Sequence, residues 1–246
     1  NPHHLYNFGT NPVRTQLTGI LNTSISTSTF LYRWKHADLK NCHPISRLPY
    51  PAKVLEKAFN QKLTHFLEQN HLLDASQSGF RANHSTETVL IAATDYFRTL
   101  LNCGETAALI LLDLSAAFDT ISHNTLIDRL HNIGIQQDTL KWIPFFLAGC
   151  TQSVWLYSFT STPNDIICGG PQGLPLSPTL FNTYMTPLAD LVRSHGLNII
   201  SYADNAQLIL SLTEDSANAK TNFSNSMTNV ANWMRDNYLK LNSDKT

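Results

Sequence analysis

Ser201-Tyr202-Ala203-Asp204-Asn205-Ala206-Gln207-Leu208 is the stretch on which the fold turns. An apolar run is interrupted by a carboxylate at a tight turn, and a second apolar run follows. Upstream, Ala107-Ala108-Leu109-Ile110-Leu111-Leu112-Asp113 is another apolar run ending in a carboxylate. An unpaired carboxylate at the end of such a strand is costly unless it meets a metal or a donor. Two strands that each deliver an Asp to one place suit two-metal phosphoryl chemistry. Mg²⁺ takes oxygen ligands, commonly one or two carboxylates plus substrate phosphates. Two such ions about 3.5–4 Å apart clamp the attacking and leaving oxygens of an in-line displacement.

The rest of the chain supplies a frame. Residues 1–33 are rich in Asn, Ser and Thr without sustained periodicity, and are expected to be poorly ordered or peripheral. Pro51 suits a helix start, and Leu55, Phe59, Leu63, Phe66 and Leu67 draw a helical stripe over 52–70. Ser85 or Thr86 caps a helix to about Leu101, with Glu87 complementing its dipole. Residues 106–114 read as a central strand, apolar on both faces. Ser122 caps a helix to Asn132, and Asp138 another to Leu147. Residues 153–159 and 165–168 read as strands. A Gly/Pro-rich loop, 169–178, leads into a helix capped by Ser177, kinked by Pro187 and ending near Gly196. Residues 198–203 and 206–212 form a hairpin whose turn is Asp204-Asn205. A long helix over 215–237 and a short strand over 238–241 follow. Strands and helices mixed in this order give an α+β sheet backed by helices.

Tyr202-Ala203-Asp204-Asn205 resembles the Tyr-Ala-Asp-Asp box of reverse transcriptases. Five further segments resemble, in order, the polymerase of LINE-type, non-LTR retrotransposons: 41–57 (NCHPISRLPYPAKVLEK), 72–88 (LLDASQSGFRANHSTET), 111–123 (LLDLSAAFDTISH), 168–180 (CGGPQGLPLSPTL) and 237–246 (NYLKLNSDKT). The resemblance covers 34–246, as a partial and degenerate copy. It implies the palm and fingers of a right-hand polymerase, fingers-like over about 34–105 and palm with fingers insertions over 106–246, the thumb being absent. It implies RNA-directed DNA polymerase activity: two-metal nucleotidyl transfer to a primer 3′-OH, with Mg²⁺ or Mn²⁺, an RNA template, a DNA primer and deoxynucleoside triphosphates.

Residue by residue, the resemblance makes Asp113 and Asp204 metal ligands. It makes Phe118 an aromatic gate beneath the sugar of the incoming nucleotide, and it puts Gln172 and Gly173 beside the templating pair. Arg81 becomes a fingers contact to the triphosphate, and Lys245 the group that protonates leaving pyrophosphate. Asn205 stands where the family has a third catalytic carboxylate. Asn offers a neutral carbonyl oxygen and adds two N–H donors, so the hairpin should form and the chemistry should suffer. Gly170, Leu174-Pro175 and Ser177 also depart from the family's loop, and Pro175 removes a backbone donor.

Those departures open a second reading, a catalytically inactive relic that keeps only the fold. Cys42-His43 replaces Tyr-Arg, Cys150 an Arg, and Ser177 a Gly. Trp34-Lys35-His36-Ala37 runs almost directly into Asp38-Leu39-Lys40-Asn41, as though an intervening segment were deleted. A third class, a stand-alone nucleic-acid-binding module, would need a basic face. The net charge of −1 and pI near 6.9 speak against it, since backbone affinity comes largely from Lys and Arg. A hydrolase reading lacks a GxSxG-type motif. The four cysteines form no CxxC, which excludes a paired zinc or redox site. No secretory signal or long apolar span appears, so the chain is expected to be intracellular, nuclear or cytoplasmic, with no membrane, and no specific protein partner is inferable. Its first residue is Asn, which reads as a fragment.

Overall fold

The computed structural model describes residues 26–30, 45–47, 50–147, 151–156, 159–170, 174–212 and 216–242. The contacts divide the chain into two compact units, one of Asn1–Phe66 with Ser122–Ser177, the other of Leu67–Ile121 with Pro178–Thr246. The division therefore falls near 66, 121 and 177.

In the first unit, β1 (Ser26–Phe30) lies between β2 (Ile45–Arg47), antiparallel to it, and β5 (Thr151–Leu156), parallel to it, with the register Ser26↔Thr151 to Phe30↔Trp155. Five of the residues expected to be poorly ordered or peripheral thus form a strand. STSTF is built of residues that tolerate extended backbone, and the partners β2 and β5 select that conformation. β5 also pairs with β6 (Phe159–Thr160) and with β7 (Asn164–Asp165). These strands begin earlier and are shorter than the 153–159 and 165–168 expected, and Ile166–Cys168 lie outside them. Helix α1 (Tyr50–Gln69) enters this unit, as do α3 (His123–Asn132, capped by Ser122) and α4 (Gln137–Leu147). Phe59 of α1 stacks on Trp142 of α4 with centroids 4.0 Å apart.

The second unit holds a three-stranded sheet. Its strand order is β3 (Thr106–Leu112), β9 (Asn205–Leu212), β8 (Asn198–Tyr202), all antiparallel. Thus β9 is central and β3 lies at an edge of the described sheet, which corrects its expected central place. Its apolarity on both faces is real, but Leu109 and Leu111 are about half exposed. On that same face, α2 (Thr86–Asn102) packs Val89, Ala93 and Leu100 against Ile200 and Ile209. Ser85 caps α2 by a reciprocal bond pair with Thr88, which satisfies two otherwise orphaned donors. The core also takes Phe181, Tyr184, Leu188 and Val192 from α5 (Leu176–Ser194), and Val230 and Met234 from α6 (Ser216–Asp236), all buried. The Tyr184 hydroxyl donates to the Asn237 carbonyl at 2.7 Å. A two-stranded ribbon of β4 (Leu114–Ser115) and β10 (Lys240–Leu241) follows β3 directly. No helix among the described residues is long and apolar enough to cross a membrane.

Helix α5 begins at Leu176, one residue before the expected Ser177 cap, because its first amide has a distant acceptor. Glu56 of α1, fully buried, takes the Leu176 N–H on Oε1 at 2.9 Å. Its Oε2 is buried without a hydrogen-bond partner among the described residues. Burial pushes this carboxyl up to about 7, against the lowering influence of the Leu176 amide and Lys53. A carboxyl that keeps its proton longer when folded loses stability as pH rises from its unfolded value, about 4.5, through its folded one. Glu56→Gln should remove that loss. Urea titrations at pH 5 and pH 8 should show the variant gaining on the parent at the higher pH, by an amount on the order of 3 kcal/mol at most. An advantage that does not grow with pH would show that Glu56 carries no such proton.

Candidate active site

The pairing Tyr202↔Asn205 makes Ala203-Asp204 the two-residue turn and Asn205 the first residue of β9. The expected turn, Asp204-Asn205, is thus displaced by one position. Ala203 takes φ +56°, the positive value that primed hairpin turns demand and usually assign to Gly or Asn. On the other side of β9, Leu112 pairs with Ala206. Continued by one step, that register sets Asp113 opposite Asn205, with Asp204 next along the turn. Cross-strand neighbours at such positions have Cβ atoms about 4.5–5.5 Å apart. Asp113, Asp204 and Asn205 therefore share one end of the sheet.

Asp113 is held from a second direction. The pairing Leu241↔Leu114 brings Asn242 alongside it. The Asn242 backbone N–H donates to the Asp113 carbonyl at 2.9 Å, and its Nδ2 donates to Asp113 Oδ2 at 2.8 Å. Sequence reading missed Asn242, because nothing local marks it: the signal is its pairing across the β4–β10 ribbon.

The loop before α2 docks on the free edge of β8. The Ser201 N–H donates to the Ser76 carbonyl and the Ser78 N–H to the Ser201 carbonyl, each at 2.9 Å. The buried Gln77 side chain reaches Ala203, and Asn182 of α5 donates to the Gly79 carbonyl at 2.8 Å. A Cβ on Gly79 would stand 2.1 Å from the Ala203 nitrogen. Asp74, at the start of this loop, pairs with Arg193 of α5 at 2.6 Å. Gln77 was not singled out in the sequence either.

Phe118 sits in a single 3₁₀ turn, Ala117–Asp119. Its ring leans on the buried Phe181, centroids 4.7 Å apart, and meets Phe80 edge-on at 6.1 Å. Phe80 is 54% exposed and adopts φ +60°, a genuine outlier for so bulky a residue. Arg81 is committed within its own loop. Its Nε and Nη2 donate to both Glu68 oxygens, and its Nη1 donates to the carbonyls of Asp74 and Gln77. These bonds engage four of the five guanidinium N–H donors. Gln172, Gly173 and Lys245 lie outside the described residues.

The donor set at the sheet end is two carboxylates and an amide oxygen. Among the described residues, no cluster of three or more His, Cys, Asp or Glu side chains offers a complete protein cage for a metal. That set fits a hard cation that relies on substrate phosphates to complete its shell.

Residues 34–246 match the family "Reverse transcriptase (RNA-dependent DNA polymerase)". The chain is 26% identical over 189 residues to a probable RNA-directed DNA polymerase from the transposon X-element of Drosophila melanogaster, covering 68% of this chain and 20% of that protein. It is 25% identical over 209 residues to the RNA-directed DNA polymerase from mobile element jockey of the same species (77% and 23%). It is 26% identical over 224 residues to a Pol polyprotein from the type-1 retrotransposable element R2 of Popillia japonica (86% and 30%). The chain thus spans between a fifth and a third of these relatives. Among solved structures, it is similar in fold to telomerase from Candida albicans, with TM-score 0.56 and 14% identity over 79% of this chain and 34% of that one. Telomerase from Candida tropicalis gives 0.53 and 10% over 78% and 39%.

Two substitutions test the loop that carries this end of the sheet. Gly79→Ala drives a Cβ into backbone that cannot swing aside, and should lower stability by about 1–3 kcal/mol in denaturant titration; an unchanged midpoint would contradict the close approach. Arg81→Ala should destabilise most at neutral pH. The Arg81 hydrogen bond holds the Glu68 carboxyl below its ordinary value, so this stabilisation exists above the unfolded value and vanishes as acid protonates Glu68. Melting curves from pH 7 to pH 3 should show parent and variant converging.

Proposed function

The chain belongs to the reverse transcriptase family, and from that membership we propose that it extends a DNA primer with deoxynucleotides on an RNA template, as the polymerase domain of a LINE-type, non-LTR element. The observation that carries this reading is the β3–β9 register, which leads Asp113 to the end of the sheet where the turn delivers Asp204.

Asp113 and Asp204 would hold Mg²⁺, or Mn²⁺ in its place. Bound there, the ions would supply charge stabilisation for the phosphoryl oxygens and ease deprotonation of the primer 3′-OH. The protein's own groups fix the geometry. Asn242 holds Asp113 Oδ2, so the carboxylate keeps one orientation. By resemblance, Phe118, whose ring packs on Phe181, would lie beneath the sugar of the incoming nucleotide, where it would clash with a 2′-OH. By resemblance, Gln172 and Gly173 would approach the nascent base pair, and Lys245 would donate the proton to leaving pyrophosphate.

A specific observation favours the second reading. The register position opposite Asp113 is filled by Asn205, an uncharged side chain. A lost anion that weakens transition-state stabilisation by about 3–4 kcal/mol slows the reaction roughly 10²–10³-fold. The relic reading is that this loss leaves the fold without the activity.

Primer extension with Mg²⁺ or Mn²⁺ separates the two. Asn205→Asp should raise deoxynucleotide incorporation by about two to three orders of magnitude, with little change in melting temperature in metal-free buffer, and Asp113→Asn in that background should abolish the gain. Incorporation absent from both parent and Asn205→Asp would leave the fold-only reading standing. A parent already as fast as the variant would remove Asn205 as an inactivating change.

A further inference from the structure

We propose that Gln77 is a positioning residue for the active site: its side-chain amide clamps Ala203 in a left-handed backbone and thereby aims Asp204. The consequence for metal binding rests on the two-metal reading above, whereas the clamp itself is testable without it.

The Gln77 side chain pairs with both backbone groups of one residue. The Ala203 N–H donates to Oε1 at 3.0 Å, and Nε2 donates to the Ala203 carbonyl at 3.0 Å. A third bond, from the Gly79 N–H to Oε1 at 2.8 Å, completes the amide oxygen. These partners also fix which atom is which, since a flipped amide would face its NH₂ toward two donors. Gln77 is 5% exposed, so water does not compete for these bonds.

Ala203 needs such a hold. It occupies the first position of a two-residue turn at φ +56°, where a Cβ is disfavoured and Gly is the ordinary choice. Residues kept in sparsely populated backbone regions persist only where the surroundings over-determine them, and they cluster at functional sites. Asp204 follows immediately, so the conformation of Ala203 sets the direction in which that carboxylate leaves the turn. The route is continuous from core to site. Asn182 of α5 anchors Gly79, Gly79 lies against the Ala203 backbone without room for a Cβ, and Gln77 grips Ala203 from the same loop.

A Gln that merely satisfied buried polar groups would make the same bonds. What separates the two roles is rescue at position 203, because Gly accepts the left-handed backbone without a clamp. The experiment uses the full chain with Gln77→Met, Ala203→Gly and both together. It reads hydrogen–deuterium exchange of peptides covering 198–206, and Mn²⁺ binding by electron paramagnetic resonance. Gln77→Met should speed exchange in the hairpin and weaken Mn²⁺ about 10-fold, as loss of an orienting partner of a ligand does. Ala203→Gly in that background should recover most of the Mn²⁺ affinity while exchange stays fast. Asp113→Asn should weaken Mn²⁺ in every background, which places the ion at this site.

A folded Gln77→Met protein whose hairpin exchanges like the parent's would overturn the clamp. Weakened Mn²⁺ that Ala203→Gly does not recover would overturn the positioning role. If the parent shows no Asp113-dependent Mn²⁺ binding, the two-metal reading fails, and exchange alone decides the clamp. Should Gln77→Met not fold, Gln77→Glu at pH 8 keeps an acceptor for both N–H groups and, as a carboxylate, sets an oxygen against the Ala203 carbonyl where the NH₂ donated; faster exchange confined to 201–206 supports the clamp, and unchanged exchange overturns it.

Discussion

The pairing of β3 with β9, seven residue pairs from Thr106↔Leu212 to Leu112↔Ala206, governs what the end of this sheet can do. Side chains alternate across a strand, so a slip of one residue would send every one of them to the opposite face. It would place Asp113 beside a different neighbour and break the match between Ile209 and the α2 surface. The register is specified by burial along its length: Leu208 and Ile209 are fully buried, on opposite faces of the same strand. A strand buried on both sides cannot slip without exposing one apolar set, and that rigidity reaches the carboxylates at its end.

Around this fixed register, the chain supports each acidic position differently. Asp113 is held across the β4–β10 ribbon by Asn242, and Asp204 is approached through its neighbour Ala203 from the loop before α2. Asn205 heads β9 and closes the turn against Tyr202. Asp and Asn are nearly the same shape, and both are accepted in turns. Fold and chemistry therefore separate at this one position, which makes the single exchange there informative about function and nearly silent about structure.

Helices α1, α2 and α5, strand β3 and the β8–β9 hairpin were legible in the sequence because their signals are local. They are apolar spacing, capping residues and a carboxylate at a strand end. What escaped depends on partners far along the chain. The Ser26–Phe30 strand exists because β5 lies beside it. The start of α5 is set by Glu56, 120 residues away. Arg81 reads as a basic loop residue, and only the fold shows it ringed by Glu68 and two carbonyls. Gln77 sits in a polar loop with no periodicity to mark it, and its importance comes from reaching a residue 126 positions on. The one-residue error in the turn has the same origin: Asp204-Asn205 is the better turn dipeptide by composition, but the β3–β9–β8 register places Ala203 in the left-handed position instead.

The edge position of β3 has a consequence for how the protein is made. Its hydrogen-bonding partner, β9, begins at Asn205, about 90 residues after β3 ends. At synthesis rates of about 5–20 residues per second, that interval is on the order of ten seconds. Throughout it, an apolar strand with Leu109 and Leu111 uncovered leaves the ribosome without the neighbour that satisfies its backbone. Unpaired strands of this kind are templates for association with other chains. Local contacts in α2, and between α3 and α4, can form as they emerge, whereas the sheet that carries Asp113 and Asp204 must wait for closure of a long loop. That end of the sheet thus assembles late, and the yield of folded protein depends on keeping β3 apart from other copies of itself until β9 arrives.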